Sequence, residues 1–368
     1  MEEKIAWLNL SLTPGLGITT LWRLVRALGS PQAVLKAKAS RLQAVNGVQK
    51  RHLSGLLNRT ANEDLASPEL ERLKAFGGRV VSWDDSFYPS LLKEIVDPPP
   101  VLYIVGDPAL LLRPAVAVVG SRAASSYGRH TAFNLARELA AAGAMVVSGL
   151  ALGIDTEAHR GALAVGGATA AILGFGLDVV YPRQNEALYR EIGYNGLLIS
   201  EYPLGTRPDA WRFPARNRII AGMSRGVVVA EAARKSGSLI TAQMGLDFGR
   251  EVFAVPGQID SEKSEGCHLL LRDGASLVMD VTDILQEAGL SRGEHASASV
   301  VSAENQAEAS LEPEAAQLLQ CIENYAAAKD DIIERSGFSP GRVSELLLML
   351  ELDGLVENLP GDQVRRVG

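Results

Sequence analysis

The sequence has little cysteine and no long apolar run. Its two cysteines, Cys267 and Cys321, lie far apart and have no metal-ligand spacing around them, so neither a disulfide framework nor a zinc site is predicted. The longest apolar stretch, 139–154, is interrupted by glycine and serine and is shorter than the roughly 20 residues that span a bilayer. The acidic start, MEEKIAWLNL, is unlike a signal peptide. These absences predict a soluble cytoplasmic protein without a membrane span.

The sequence also lacks the common signatures of catalysis. It has no G-x-x-x-x-G-K-[ST] motif, and the turn at Gly120-Ser121-Arg122 does not continue as G-x-G-x-x-G. Among its five histidines only His159 lies near carboxylates, and a helix-cap network explains that histidine better than catalysis does. Without a nucleophile–base pair or a metal-ligand set, we predict that the protein is not an enzyme and needs no cofactor or metal.

Positive charge is scarce overall. The 368 residues are 47% hydrophobic and 21% charged, with a net charge of −7, which allows a large core and gives an acidic surface. A protein that coats nucleic acid over its whole surface is usually basic. Any nucleic-acid site must therefore be a local basic patch on an acidic body.

The chain has four regions that differ in pattern. Residues 1–75 place apolar side chains at helical spacing, and residues 76–289 alternate short apolar runs with helical segments. Residues 290–310 are rich in Ser, Ala and Glu and are typical of a flexible linker. Residues 311–368 are again helical and end in an alternating stretch. We therefore expect three domains and one linker.

The second region predicts an α/β fold. Continuous apolar runs are typical of strands buried on both faces of a parallel sheet, and their alternation with helices predicts a doubly wound, extended Rossmann-like and mostly parallel sheet. Two further runs, 78–83 and 101–107, are predicted to extend the sheet at an edge. The seven principal runs are AVAVVG (115–120), AMVVSG (144–149), ATAAILG (168–174), LLISEYP (197–203), VVVAEA (227–232), EVFAVPG (251–257) and SLVMD (276–280).

Residues suited to phosphate binding follow these runs. In open α/β sheets, ligands bind outside the carboxyl ends of the strands. Glycines let the backbone approach a ligand, helix N-termini present N–H groups, and arginine matches a phosphate. Any one of these loops is equally well explained by turns and helix caps, but several on one rim indicate several phosphates. The loops are 120–122, 148–155, 174–183, 213–218 and 235–241.

Five arginines and one acid lie between residues 207 and 225 and predict a positive stripe. Phe175, Tyr181 and Phe213 lie nearby and are candidates for base stacking, although core packing explains each of them equally well. The arginines of the stripe are Arg207, Arg212, Arg216, Arg218 and Arg225.

Together these motifs resemble a known family. VGSR (119–122), SGLALGID (148–155), GLDVVYPR (176–183), FPARNRIIAG (213–222), EAARKSGSLITA (231–242), VPG (255–257) and GCHLLLRDGA (266–275) resemble the DNA-processing protein A family, DprA or Smf. The resemblance implies a bacterial protein with an extended Rossmann domain that forms a homodimer. It also implies binding and protection of single-stranded DNA, loading of the RecA recombinase in natural transformation or recombination, and no established enzymatic activity.

The resemblance also implies roles for individual residues. Arg122, Arg183 and the cluster Arg216-Asn217-Arg218 are implied to hold DNA phosphates. A pocket around one phosphate or base is implied for Gly120, Ser121, Ser148, Gly149, Ser236, Gly237, Ser238 and Thr241. The family's dimer surface implies an interface over residues 266–277.

The flanking regions predict two further modules. The glycine turns at 14–17 and 45–48 resemble a SAM or helix–hairpin–helix domain, for which a packing role is at least as well supported as DNA contact. Helices predicted over 314–327, 330–336 and 341–352, followed by two short strands, resemble a winged helix. The helix predicted over 341–352 is the second helix of the helix-turn-helix, which lies in the major groove in DNA-binding winged helices. With its flanking residues it has one arginine and three acids, which favours a role in protein contact or packing over DNA binding.

Two other functions are alternatives to single-stranded DNA binding and RecA loading. One is a nucleotide-processing enzyme similar to phosphoribohydrolases on a related fold, which resemble P-G-G-x-G-T-x-x-E where this chain has Ser236-Gly237-Ser238. The other is a nucleotide-sensing scaffold that recruits partners through the winged helix. The missing motif counts against the enzyme.

Overall fold

The computed structural model describes residues 2–58, 64–290, 312–322, 327–352, 355–359 and 361–366. The chain divides into two compact units, Met1–Ala296 and Ser297–Gly368. The predicted linker lies outside the described residues except for residue 290. Within the described ranges, no helix is both long enough and apolar enough to cross a membrane.

Nine strands of the described part of the first unit form one sheet. The order across the sheet is β1-β2-β6-β5-β4-β3-β7-β8-β9, parallel from β6 to β9 and antiparallel where β2 pairs with β1 and with β6. The strands are β1 (Arg79–Ser82), β2 (Val101–Gly106), β3 (Ala115–Gly120), β4 (Met145–Ser148), β5 (Thr169–Leu173), β6 (Leu197–Ser200), β7 (Gly226–Glu231), β8 (Glu251–Ala254) and β9 (Ser276–Leu277). This order confirms the α/β fold class and the predicted edge extension, although the last run is shorter than predicted.

Helices cover both faces of this sheet. Successive residues of β3 point to opposite faces. Val116 and Val118 pack with α8, α9 and α14, while Ala117 and Val119 pack with α7, α11, α12 and α13. The helices are α1 (Glu2–Ser11), α2 (Ile18–Leu28), α3 (Pro31–Lys36), α4 (Ala39–Gln43), α5 (Ser54–Leu57), α6 (Ala66–Ala75), α7 (Ser90–Lys93), α8 (Ser126–Ala141), α9 (Ile154–Ala164), α10 (Glu186–Asn195), α11 (Arg212–Met223), α12 (Gly237–Asp247), α13 (Glu265–Arg272) and α14 (Val281–Glu287).

The strand order reverses at the centre of the sheet. From β3 the chain passes through α8 to β4 on one side, and it later returns to β7 on the other side of β3. In open α/β sheets, such a switch point opens a crevice outside the carboxyl ends of the strands. The topology therefore selects the loops after β3 and β7 as the walls of a binding site.

The N-terminal helices share a hydrophobic core with one edge of the sheet. Trp7 and Leu24 belong to the same buried cluster as Val80, Tyr103 and Leu173 of the sheet. The boundary predicted at residue 75 therefore separates two patterns of sequence within one compact unit, and an independent helical domain stays a prediction.

An aromatic cluster joins these helices to the start of β2. The ring centroids of Trp7 and Trp22 lie 5.1 Å apart, those of Trp22 and Trp83 lie 4.6 Å apart, and Trp83 lies 5.5 Å from Tyr88. The Trp22 Nε1–H donates to the Pro98 carbonyl oxygen at 2.8 Å. The cluster thus fixes the proline-rich segment that leads into the sheet.

The two N-terminal glycine turns have the same backbone geometry. Gly15 and Gly47 both have φ of +75°, which strongly favours glycine because a Cβ is strained in that region. Arg23 donates from Nη1 to the Gly47 carbonyl oxygen at 2.7 Å. One of the few cations of the first hairpin helix is thus engaged within the protein, which favours the packing role.

The second unit is a winged helix. Its elements are α15 (Pro313–Gln320), β10 (Ala327–Ala328), α16 (Lys329–Ser336), α17 (Pro340–Leu352), β11 (Val356–Leu359) and β12 (Gln363–Arg366). The strand order is β10-β12-β11, with both pairs antiparallel. The helix predicted over 314–327 was too long, because Ala327 pairs with Val364 and tertiary pairing overrides the helix propensity of alanine.

We expect Trp22→Ala to destabilise the first unit by about 3–5 kcal/mol, because it leaves a cavity at the joint between the N-terminal helices and the sheet. Urea unfolding followed by circular dichroism measures this change. Tyr194→Ala is the matched control, since Tyr194 is 88% exposed, and should change stability by less than about 0.5 kcal/mol. Equal stabilities of the two variants would show that the aromatic cluster does not hold the unit together.

Candidate nucleic-acid interface

A cavity of about 910 Å³ opens at the carboxyl edge of the parallel strands. Its lining comes from the loops after β3, β4, β5, β6 and β7 and from the first turns of α11 and α12. Nine of the thirteen predicted site residues line it, namely Gly120, Ser121, Arg122, Arg216, Asn217, Ser236, Gly237, Ser238 and Thr241. The structure therefore brings together residues that are up to 121 positions apart in the sequence (241 − 120).

The loop after β3 is held against β7. Ser121 donates its backbone N–H to the Glu231 carbonyl oxygen at 2.7 Å. Gly120 fits this junction because a Cβ would lie 2.5 Å from the Ile154 Cγ1 and 2.7 Å from that same carbonyl oxygen. Glu231 also accepts from the Ser125 backbone N–H at 3.0 Å and so fixes the start of α8. Sequence reasoning missed Glu231, whose position at the end of a buried strand is its only signal.

Arg216 forms part of the cavity lining and is 95% buried (5% exposed). Its Nη1 donates to the Ile172 carbonyl oxygen at the end of β5. Burial lowers the pKa of Arg216 to about 10, and the nearby Asp155 carboxylate opposes that shift. The Nε has no hydrogen-bond partner within the described residues. Arg216 is therefore a charged group at the edge of the cavity that an anion can neutralise.

Asp155 ties the loop after β4 to Arg216. Its Oδ2 accepts from the backbone N–H groups of Gly149 at 3.1 Å and Ala151 at 3.3 Å. Burial raises the pKa of Asp155, and the Arg216 charge acts in the opposite direction. Gly149 is required here because a Cβ would collide with the Arg216 guanidinium. Gly149 thus lies behind the lining and positions Arg216.

Four of the predicted site residues lie outside the lining. Ser148 is fully buried and donates from Oγ to the Val118 carbonyl oxygen at 2.7 Å, so its hydroxyl joins β4 to β3. Gly149 lies beside Arg216, and Arg183 is exposed in a short 3₁₀ turn. Arg218 forms an ion pair with Glu201, and the two side chains are only 16% and 13% exposed.

The predicted arginine stripe is not continuous. Arg225 follows the far end of α11 and donates to the Gly289 carbonyl oxygen at 3.0 Å, at the amino edge of the strands. Because a helix of 12 residues is about 18 Å long, α11 separates Arg225 from the cavity. The prediction of a continuous stripe considered only positions in the sequence and not the length of the helix that separates them.

The start of α12 contributes the hydroxyl residues Ser236, Ser238 and Thr241 to the cavity lining. Ser236 caps this helix of 11 residues by accepting from the Ser238 N–H at 3.3 Å, and the two Oγ atoms lie 2.7 Å apart. The N-terminus of a helix favours anions. Lys235 precedes this cap, is exposed and lines the cavity. It is the first residue of the predicted loop 235–241, although it was not among the individually predicted site residues.

Aromatic rings form part of the cavity rim. The Arg122 guanidinium lies 5.6 Å from the Phe213 ring centroid. Phe213 in turn stacks on Tyr181, with centroids 5.7 Å apart and planes at 26°. Tyr181 and Phe213 both line the cavity, whereas Phe175 is 3% exposed and contacts Tyr181 edge-on. The three stacking candidates thus divide into two rim residues and one core residue.

His159 lies in the core and makes no contact with a carboxylate in the described residues. Its Nδ1 is 2.7 Å from the Thr169 Oγ1, and Nε2 has no partner there. Burial, followed by the Arg216 charge, lowers the pKa of His159 to about 3. The predicted cap network with Asp155 and Glu157 was therefore wrong, because the ring points toward β5.

Two family models match the chain. One is described as DNA recombination-mediator protein A and matches residues 79–289, and the other is described as DprA winged helix domain and matches residues 302–362. The chain is 34% identical to Protein Smf of Synechocystis sp., with 99% of each chain covered. It is 39% identical to Protein Smf of Escherichia coli, with 89% of each chain covered.

Two solved structures share this architecture. The X-ray structure of DNA processing protein A from Streptococcus pneumoniae gives a TM-score of 0.67 at 37% identity, over 78% of this chain and 98% of that one. DNA processing protein A from Helicobacter pylori, described for its unique single-stranded DNA binding mode, gives a TM-score of 0.52 at 34% identity. The latter match covers 56% of this chain and 94% of that chain.

The pH dependence of folding tests the burial of His159. Between about pH 6.5 and 3 the unfolded chain binds a proton that the folded chain does not, because the folded pKa is about 3 and the ordinary value is 6.5. The stability contributed by neutral His159 is thus complete above pH 6.5 and is lost as the pH falls. As the pH is lowered, we expect the unfolding free energy of His159→Gln to fall less steeply than that of the parent protein. The two slopes should differ by up to about 1.4 kcal/mol per pH unit.

Urea titrations of both proteins at several pH values from about 6 to 4 measure these slopes. The buried carboxyls Asp155 and Glu201 titrate in both proteins, so the difference isolates His159. Parallel slopes would contradict the burial described here.

Proposed function

The chain belongs to the DNA recombination-mediator protein A family, and we propose that it binds single-stranded DNA across the cavity at the carboxyl edge of its sheet. In this proposal it acts in DNA processing, during natural transformation or recombination. The observation that carries the proposal is the convergence of nine predicted phosphate-binding residues on one cavity. The relative from Helicobacter pylori, described for binding single-stranded DNA, supports the same assignment.

Phosphates are bound by two sets of groups. Arg216 supplies a buried positive charge, and the N-terminus of α12 adds the positive end of the helix dipole. Arg122 and Lys235 supply charges at the exposed rim, and neither forms an ion pair with a described residue. The phosphates of a strand that crosses from the rim to Arg216 therefore lie near successive positive groups, although the protein has a net charge of −7.

The aromatic rim favours an unpaired strand over a duplex. Base–aromatic stacking needs an exposed base face, which a duplex withholds. Tyr181 and Phe213 place two ring systems beside the phosphate-binding groups. Every base has a π face, so stacking of this kind gives binding with little sequence preference.

We further propose that the cavity binds nucleic acid without catalysing a reaction on it. Two carboxylates line it. Asp155 is buried and accepts from two backbone N–H groups near Arg216, and Asp209 accepts from the Trp211 indole N–H at 2.8 Å. Incubation with nucleoside monophosphates, followed by an assay for released base, tests this part of the proposal, and release of base would overturn it.

Dimerisation and RecA loading are the finer steps of the proposal. Large apolar side chains are exposed on and around the segment 266–277, with Leu277 at 47%, Met279 at 80% and Ile259 at 93% exposure. Several large apolar side chains exposed in one region indicate an interaction surface. We propose that two copies pair through this face and that the dimer speeds the assembly of RecA on a bound strand. Light scattering from RecA filaments with and without the protein measures the latter effect.

We expect Arg122→Glu to weaken binding of a labelled dT oligonucleotide at low salt, because an exposed charge at the cavity rim is reversed. The logarithmic salt dependence of the affinity should decrease in slope by about one. Fluorescence anisotropy at several salt concentrations, with a duplex of equal length for comparison, measures both quantities.

Arg190→Glu is the matched control, because Arg190 is an exposed arginine on α10 outside the cavity lining and the variant has the same net charge. It should keep nearly the affinity and the salt slope of the parent protein. Equal losses in both variants would mean that only the overall charge matters, and no binding by the parent protein would overturn the proposed function.

For the dimer, we expect Leu277→Asp combined with Met279→Asp to give a monomer, since four carboxylates would face one another across a symmetric interface. Sedimentation velocity of the parent protein and the variant measures the change. Tyr194→Ala, which removes an exposed aromatic elsewhere, should leave the oligomeric state unchanged. A monomeric parent protein, or an unchanged dimer in the double variant, would overturn this interface.

A further inference from the structure

One of the four tryptophans is exposed beside the cavity. Trp7 and Trp22 are 2% and 5% exposed, and Trp83 is half-buried in the same cluster, whereas Trp211 is 58% exposed. Leaving so much indole surface in water forfeits the free energy that burial provides. The exposed ring of Trp211 is therefore available for contact with a ligand at the cavity border.

The exposed indole is held in a fixed orientation. The Trp211 Nε1–H donates to the Asp209 Oδ2 at 2.8 Å. The Arg212 guanidinium lies 4.9 Å from the Trp211 ring centroid and 5.2 Å from that of Tyr202. Arg212 also donates from Nη1 to the Arg207 carbonyl oxygen. A ring oriented in this way loses little conformational freedom when a ligand stacks on it.

Trp211 also lies at the border of the cavity. It is the residue before the first turn of α11, and Asp209, Ala210 and Phe213, which surround it in the sequence, line the cavity. Arg207 is exposed on the same loop. An aromatic face, a nearby cation and the rim thus occur together within seven residues, 207–213.

We propose that Trp211 stacks on an unpaired base of the same strand that occupies the cavity, outside the cavity itself. This inference rests on the proposed function and adds one binding residue to it. A base fits the position because it offers a flat π face, while its backbone carries the phosphates that Arg207 and Arg212 attract. The strand then leaves the cavity over the loop between β6 and α11.

The fluorescence of Trp211 provides a direct signal. Because Trp7 and Trp22 are buried and Trp83 is half-buried, iodide should quench mainly Trp211 in the free protein. A bound dT oligonucleotide that stacks on this ring should quench its emission and protect it from iodide. Trp211→Phe should lose both signals and still bind, since phenylalanine keeps a stacking face.

Affinity provides the second readout. We expect Trp211→Ala to weaken binding of a labelled dT oligonucleotide about tenfold in fluorescence anisotropy, and Trp211→Phe to restore most of that loss. Tyr194→Ala is the control for removal of an exposed aromatic, since Tyr194 is 88% exposed and lies outside the cavity lining. Its affinity should be unchanged. Circular dichroism of each variant verifies that it is folded.

The outcomes separate this inference from the proposed function. If the parent protein binds the oligonucleotide, but Trp211→Ala binds it equally well and the emission does not change, the inference is wrong and the proposed function stands. If Trp211→Phe binds as poorly as Trp211→Ala, stacking is not the cause and the inference is again wrong. If the parent protein does not bind the oligonucleotide at all, both fail.

Discussion

Two buried side chains of opposite charge, Arg216 and Asp155, organise the carboxyl edge of the sheet. The Asp155 carboxylate holds the loop after β4, and the Arg216 guanidinium reaches the end of β5 from α11. Burying a charge is costly unless other groups compensate for it, and here backbone groups hydrogen-bond to both side chains. The loops after β4 and β5 and helix α11 meet at these two side chains, which therefore join three parts of the cavity wall.

Other basic side chains fall into two groups, those bonded within the protein and those exposed at the rim of the cavity. Arg218 pairs with Glu201, and Arg250 donates to Glu94 at 2.9 Å and to the Leu91 carbonyl oxygen at 2.8 Å. These arginines join helices to the sheet. Arg122 and Lys235 remain at the exposed rim of the cavity. A chain with seven more acidic than basic residues can therefore present a local positive site without spreading positive charge over its surface.

The sequence predicted the elements and most of the cavity, because both depend on local pattern. Continuous apolar runs located the central strands. Because ligands bind outside the carboxyl ends of parallel strands, the residues that follow each run could be assigned to one site. The differences arise where a partner distant in sequence decides the outcome. Arg218 pairs with Glu201 and lies outside the cavity lining, Arg225 lies beyond the far end of α11, and the wing strand shortens the helix predicted over 314–327. The positions of charged residues in the sequence do not show which arginine forms an ion pair with a carboxylate elsewhere in the fold.

Helix α11 is fixed at both ends. Near its start Arg216 bonds to the end of β5, and at its far end the Gly222 carbonyl oxygen accepts from Arg250, which is anchored on α7. A wall held in this way keeps its form before a ligand arrives. Association at such a site involves no slow rearrangement, so its rate is set by diffusive encounter and by electrostatic steering. For the proposed single-stranded DNA ligand, binding at this wall therefore requires no prior movement of α11.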